Sequence, residues 1–101
     1  MHTKLYINSM KLITWNKEKN AWLKDNRGIC FEDILFYLDN DLIIDDIEHP
    51  NQKKYAGQKI MVFNIEEYIY LVPYRETEDE IFFKTIIPSR KATKEYLGEL
   101  K

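Results

Sequence analysis

The sequence predicts an α+β fold: a mostly antiparallel sheet of about four strands, with two N-terminal helices and one C-terminal helix. Three observations carry this. Strand-like runs at 58–65, 67–75 and 80–87 follow one another across short turns, which favours antiparallel neighbours. In "FEDILFYLDN", Phe31, Ile34, Leu35 and Leu38 recur at i, i+3, i+4 and i+7, the apolar stripe of a helix. "PSRKATKEYLG" opens on a capping serine and closes on glycine, the start and stop signals of a short helix.

Taken in order, "KLITW" (11–15) is the first strand, and residues 1–10 read either as a lead or as an extra edge strand. "NKEKNAWLKDN" (16–26) forms the first helix, with Asn16 as N-cap and Gly28 as stop. The second helix has Cys30 where Ser or Thr would cap it, a loss of about 1 kcal/mol. The acidic segment "DNDLIIDDIEHPNQKKYAG" then leads to the hairpin 58–75, the last strand 80–87 and a helix over 90–97. The order is β-α-α-(β)-β-β-β-α. Strand alternation places Tyr68, Tyr70, Val72 and Tyr74 on one side of the sheet and Ile69, Leu71, Pro73 and Arg75 on the other. The aliphatic side is expected against the helices. The open side would then show tyrosines, Phe82 and Lys84, a surface that either stacks on bases, covers itself with a protein partner, or reflects β-propensity alone.

Composition bounds the function. The 101 residues suit a single domain. Net charge is −2 and pI about 5.7, which argues against a broad electrostatic grip on nucleic acid or an anionic membrane. The charge is uneven: residues 1–49 carry 6 Lys/Arg against 9 Asp/Glu, and residues 50–101 carry 9 against 8. The basic content leans to the C-terminal half. One cysteine excludes an internal disulfide and fits a reducing cytoplasm. No apolar run approaches a membrane span, and the first residues lack a signal peptide's apolar core. No cofactor or metal is expected. There is no glycine-rich nucleotide loop, no Cys/His cluster, and the acids at 39–46 lack the calcium-loop glycine and terminal glutamate.

The segment "KTIIPSRKATKEY" concentrates cations where a helix is already positive. Ser89 as cap, the free amides, Arg90 and Lys91 would together clamp a phosphate. The plainer alternative pairs Arg90 with Glu95 or with an acid in 39–48. His49, Lys53, Lys54 and Tyr55 are close in sequence, and a His or Lys there is a candidate acid or base.

The motif order resembles the BrnT-type toxins of bacterial type II toxin–antitoxin pairs, which have a RelE-like ribonuclease fold. Their opening pattern is Trp-Asp, Lys-Asn, Lys-His-Gly, then Ser-Phe-Glu. "WNKEKNAWLKDNRGICFED" keeps Trp15, Lys19, Asn20, Gly28, Phe31 and Glu32 at that spacing. Their closing Ser-Ala-Arg-(Arg/Lys)-Ala and later Glu is matched by Arg90, Lys91, Ala92 and Glu95. Arg27 replaces the family's histidine. The resemblance covers about residues 12–97 and implies a cytoplasmic, bacterial toxin over 1–101 that blocks translation by cutting RNA. Cleavage would be metal-independent: the 2′-OH attacks the neighbouring phosphate to leave a 2′,3′-cyclic end. Lys54, Arg75 and Arg90 would be catalytic. Arg27, Lys53, Tyr55, Tyr74, Lys84, Ser89 and Lys91 would hold the substrate. The implied partner is an antitoxin with a ribbon-helix-helix DNA-binding domain, so the pair is a hetero-oligomer and DNA is reached only through the antitoxin. The alternative is an inactive RelE-like module that acts through a protein partner.

Overall fold

A computed structural model describes residues 2–6 and 11–98. The elements are β1 (His2–Tyr6), β2 (Lys11–Trp15), α1 (Lys17–Arg27), α2 (Phe31–Asp39), β3 (Ile43–Glu48), β4 (Gln58–Ile65), β5 (Tyr68–Glu76), β6 (Glu80–Phe83), β7 (Ile87–Pro88) and α3 (Arg90–Leu97). The class is α+β, as the sequence predicts. Among the described residues the sheet has seven strands rather than about four, in the order β1-β2-β6-β5-β4-β3, with β7 also paired to β5. Every pairing is antiparallel except β2 with β6. β2 is parallel to β6, and the helical pair and the β3–β5 meander lie between them along the chain.

The helix ends follow local chemistry. Asn16 Oδ1 accepts from the Lys19 amide at 2.8 Å, and Gly28 turns left-handed at φ 68°. The missing hydroxyl at Cys30 is replaced from two sides. Asp33 Oδ2 accepts the Cys30 amide at 3.0 Å, and Asn20 Oδ1, from α1, accepts the Phe31 amide at 2.7 Å. Asn20 Nδ2 also donates to Glu32 Oε1 at 2.8 Å. One half-buried amide thus caps α2 and ties it to α1. Asn20→Ala leaves the Phe31 amide without its acceptor, and an expected loss of about 1–3 kcal/mol is measurable by urea unfolding.

Two further departures from the sequence reading concern the sheet. The strand over 80–87 stops at Phe83 and resumes at Ile87. Lys84 N–H reaches Pro73 O at 2.8 Å, but proline has no N–H to return, so the ladder ends there. The helices also cover both faces rather than one. The α1–α2 pair packs on Ile13, Trp15, Met61, Phe63, Val72, Tyr74, Ile81 and Phe83. The opposite face is covered in part by α3, whose Ala92 and Leu97 meet Ile60, Val62, Ile69 and Leu71.

This second layer corrects the predicted faces of β5. Tyr74, expected on an open surface, is 1% exposed on the α1–α2 side. Ile69 and Leu71 are on the α3 side. A strand covered on both faces is apolar on both, so alternation alone does not say which side is open. The expected core side of the last strand holds as far as Lys84: Ile81 and Phe83 are buried, and Phe82 and Lys84 face the other way. Beyond the break Ile86 is buried and Ile87 exposed, so the alternation does not continue through 87.

Candidate functional site

The α3 side of the sheet is left uncovered where β6 and the end of β5 run past the helix. Arg75 pairs in register with Phe82, and Lys84 is two residues further along the same face. With Thr77 and Glu80 these side chains line a cleft of about 270 Å³. The β5–β6 turn fixes its floor. Thr77 Oγ1 accepts the Glu80 amide at 3.1 Å, and Thr77 N–H donates to Glu80 O at 2.8 Å. Lys11 Nζ holds the turn from β2, with Glu76 Oε2 at 2.6 Å and Thr77 O at 2.8 Å. Thr14, buried on β2, donates its hydroxyl to Glu80 Oε2.

Arg75 and Lys84 are exposed, and neither forms an ion pair among the described residues, although Glu80 lines the same cleft. A guanidinium, an ammonium, a carboxylate and an aromatic ring therefore face one opening, with the charges not neutralising one another. Glu80 and Thr14 were missed as site residues by the sequence reading, which had placed Phe82 beside Lys84 on the open face of the sheet. Their signal was present only in the pairing of β2 with β6, which brings Thr14 to Glu80, 66 positions away.

The other expected site residues are distributed. Ser89 caps α3 as anticipated, its Oγ accepting the Ala92 amide at 3.0 Å. Arg90 and Lys91 are exposed there, and Arg90 makes no ion pair among the described residues, so the simple pairing with Glu95 or with the acids of 39–48 is not formed. But Ser89 N–H bonds Ile69 O, at the far end of β5 from Arg75, on the order of 20 Å away at about 3.3 Å per residue. Arg90, Lys91 and Ser89 are not part of the Arg75–Lys84 cleft, which corrects the expectation of one gathered set of cations.

Lys53, Lys54 and Tyr55 occupy the loop between β3 and β4, whose exit residue Gln58 pairs with Arg75. That loop is built by Gln52, whose Nε2 donates to His49 O at 2.8 Å and whose Oε1 accepts Gly57 N–H at 3.1 Å. Lys54 Nζ lies 5.3 Å from the Tyr55 ring centre. The His49 ring packs tilted against the same ring with centres 4.3 Å apart, and its Nδ1 accepts the Asn51 amide at 3.0 Å. These groups flank the Arg75 end of the sheet without lining the cleft.

Arg27 and Tyr74 have structural tasks instead. Arg27 Nη1 donates to Ile86 O, tying α1 to the segment between β6 and β7, and its guanidinium lies over Trp22. Tyr74 donates its hydroxyl to Asp46 at 2.7 Å, from a buried position no substrate can reach. Burial pushes the Cys30 thiol up; the Asp33 backbone N–H pulls it partly back, and the Glu32 and Asp33 carboxylates raise it again, which disfavours the thiolate. No group of three His, Cys, Asp or Glu side chains is placed to hold a metal ion among the described residues. No helix among them is long and apolar enough to cross a membrane.

The residues that carry the sequence resemblance build the fold. Trp15 and Phe31 are buried together with ring centres 5.4 Å apart. Asn20 and Glu32 are bonded to one another, and Gly28 ends α1. Comparison with known proteins gives no match to a family model, a curated protein or a solved structure.

Proposed function

We propose that the chain is a small metal-independent endoribonuclease, the toxin of a type II toxin–antitoxin pair with a RelE-like fold, acting in the cytoplasm to block translation. The observation that carries this reading is the Arg75–Lys84 cleft: two cations without ion-pair partners among the described residues, beside an aromatic ring and a carboxylate. RNA cleavage by its own 2′-OH needs little else. The crowded phosphate gathers negative charge in the transition state, and cations placed beside it stabilise that charge. Two local cations suffice even in a chain of net charge −2. The element order from β2 onward supports the same reading, as does the fold-building role of the motif residues Trp15, Asn20, Gly28, Phe31 and Glu32.

The test is induction of the chain alone in a bacterial host, with RNA ends mapped afterwards. The expected outcome is growth arrest with RNA fragments ending in 2′,3′-cyclic phosphate. Unimpaired growth and intact RNA at good expression would overturn the reading.

One observation favours the second reading, an inactive module that works through a protein partner. β3 is an edge strand that exposes Ile44 beside Asp45, Asp46 and Glu48, and exposed Leu42 lies just before it. Such an edge suits an added extended segment with basic side chains. In the toxin reading the same edge would receive the antitoxin. Tight binding to the product of a neighbouring gene, with no RNA cleavage by the purified chain, would select the second reading.

A further inference from the structure

We infer that Glu80 is the general base of the Arg75–Lys84 cleft, held in place by Thr14, and that Phe82 is the platform on which a base of single-stranded RNA stacks. This rests on the ribonuclease reading above and assigns roles within it.

The geometry singles out Glu80. It is half-buried at the start of β6, and Oε2 accepts the hydroxyl of Thr14, itself 5% exposed on the adjacent strand. Oε1 makes no hydrogen bond among the described residues, and no cation comes within ion-pair distance of the carboxylate. A half-buried carboxylate beside an arginine and a lysine ordinarily recovers its desolvation cost by pairing with one of them. Here acid and cations stand apart across one cleft, and that gap suits a group needing both: a hydroxyl to deprotonate and a phosphate to hold. Glu80, held through Oε2 by Thr14 with Oε1 left open, is therefore placed as the base, and Lys84, which lines the same cleft, as the acid. Lys54 and His49 are engaged with Tyr55 outside the cleft.

The step balances with these groups alone. Glu80 takes the 2′-OH proton as the O2′–P bond forms. Arg75 holds the non-bridging oxygens. The P–O5′ bond breaks, and Lys84 gives a proton to the departing O5′. The products are a 2′,3′-cyclic phosphate and a 5′-hydroxyl, and water returns the proton from Glu80 to Lys84. Phe82, half-buried in register with Arg75, presents its ring beside the phosphate site, where a base splayed from a single strand stacks.

The test uses the full chain and a short single-stranded RNA, in single-turnover cleavage, with binding measured on the same RNA carrying a 2′-deoxy sugar at the cleaved position. Glu80→Gln keeps an acceptor for Thr14 but loses basicity. Its cleavage should fall about 10²–10⁴-fold, and binding of the deoxy RNA and the melting temperature should stay near wild type. Phe82→Ala should weaken deoxy-RNA binding roughly tenfold. Thr14 is a positioning residue, so Thr14→Val should lower kcat with KM unchanged. Cleavage by Glu80→Gln at the wild-type rate would overturn the inference and leave the ribonuclease reading standing. No cleavage by the wild-type chain would overturn that reading and this inference with it.

Discussion

Arg75→Ala is expected to lower RNA cleavage by about 10²–10³-fold, the usual effect of removing one fixed donor from a developing oxyanion. Lys84→Ala should lose a similar amount, and the double variant less than the product of the two, since both act on one phosphate. Arg90→Ala is the informative control. It has the same charge change and exposure, but Ser89 anchors it at the Ile69 end of β5 rather than in the cleft. Its cleavage rate should stay within a few-fold of wild type. Equal losses in Arg75→Ala and Arg90→Ala would mean that charge acts at long range and that the cleft has no special role. Cleavage rates of the three variants at two salt concentrations separate these outcomes, because long-range steering weakens with salt while a contact inside a cleft weakens less.

The largest stability effect is expected at Phe83. Its ring is fully buried, stacked on Trp15 at 6.2 Å and tilted against Phe31 at 5.8 Å. These three rings join β2, β6 and α2. Phe83→Ala should cost about 3–5 kcal/mol, a large part of the roughly 5–15 kcal/mol that holds a domain of this kind. Phe82→Ala, one residue earlier and half-buried on the other face, should cost far less. Urea denaturation of the two variants reads the difference as a drop in midpoint. Similar losses would mean that the two faces of β6 are packed alike, contrary to the structure.

Much of the fold was legible because it is written locally. The caps Asn16 and Ser89, the stop at Gly28, the apolar stripe of α2 and the hairpin 58–75 each depend on residues a few positions apart. What was not legible depends on distant contacts. Pro73 breaks the last strand only because Lys84 becomes its partner. Asn20 replaces the missing cap of α2 only because α1 folds back beside it. The buried side of Tyr74 was misread because α3 covers the opposite face, and nothing in the alternation of β5 announces a second helical layer. The cleft follows the same rule. Arg75 and Lys84 were singled out for their charge and Phe82 for its place in the alternation, whereas Glu80 acquired meaning from the register of β6 against β2. Arg90 drew notice as a cation at a helix start, yet its distance from Arg75 is set by where β7 and Ser89 join β5.

The claim at the centre of this account is that an acidic chain holds a phosphodiester through one local pair of cations. The affinity of uncleavable single-stranded RNA, measured across a range of salt for the wild type and for Arg75→Ala/Lys84→Ala, tests it most directly. Each phosphate contact on a single strand contributes about 0.7 to the slope of log affinity against log salt. Both cations act on one phosphate, so the double variant should bind much more weakly and lose about 0.7 of that slope. Unchanged affinity and slope in the double variant would contradict the account.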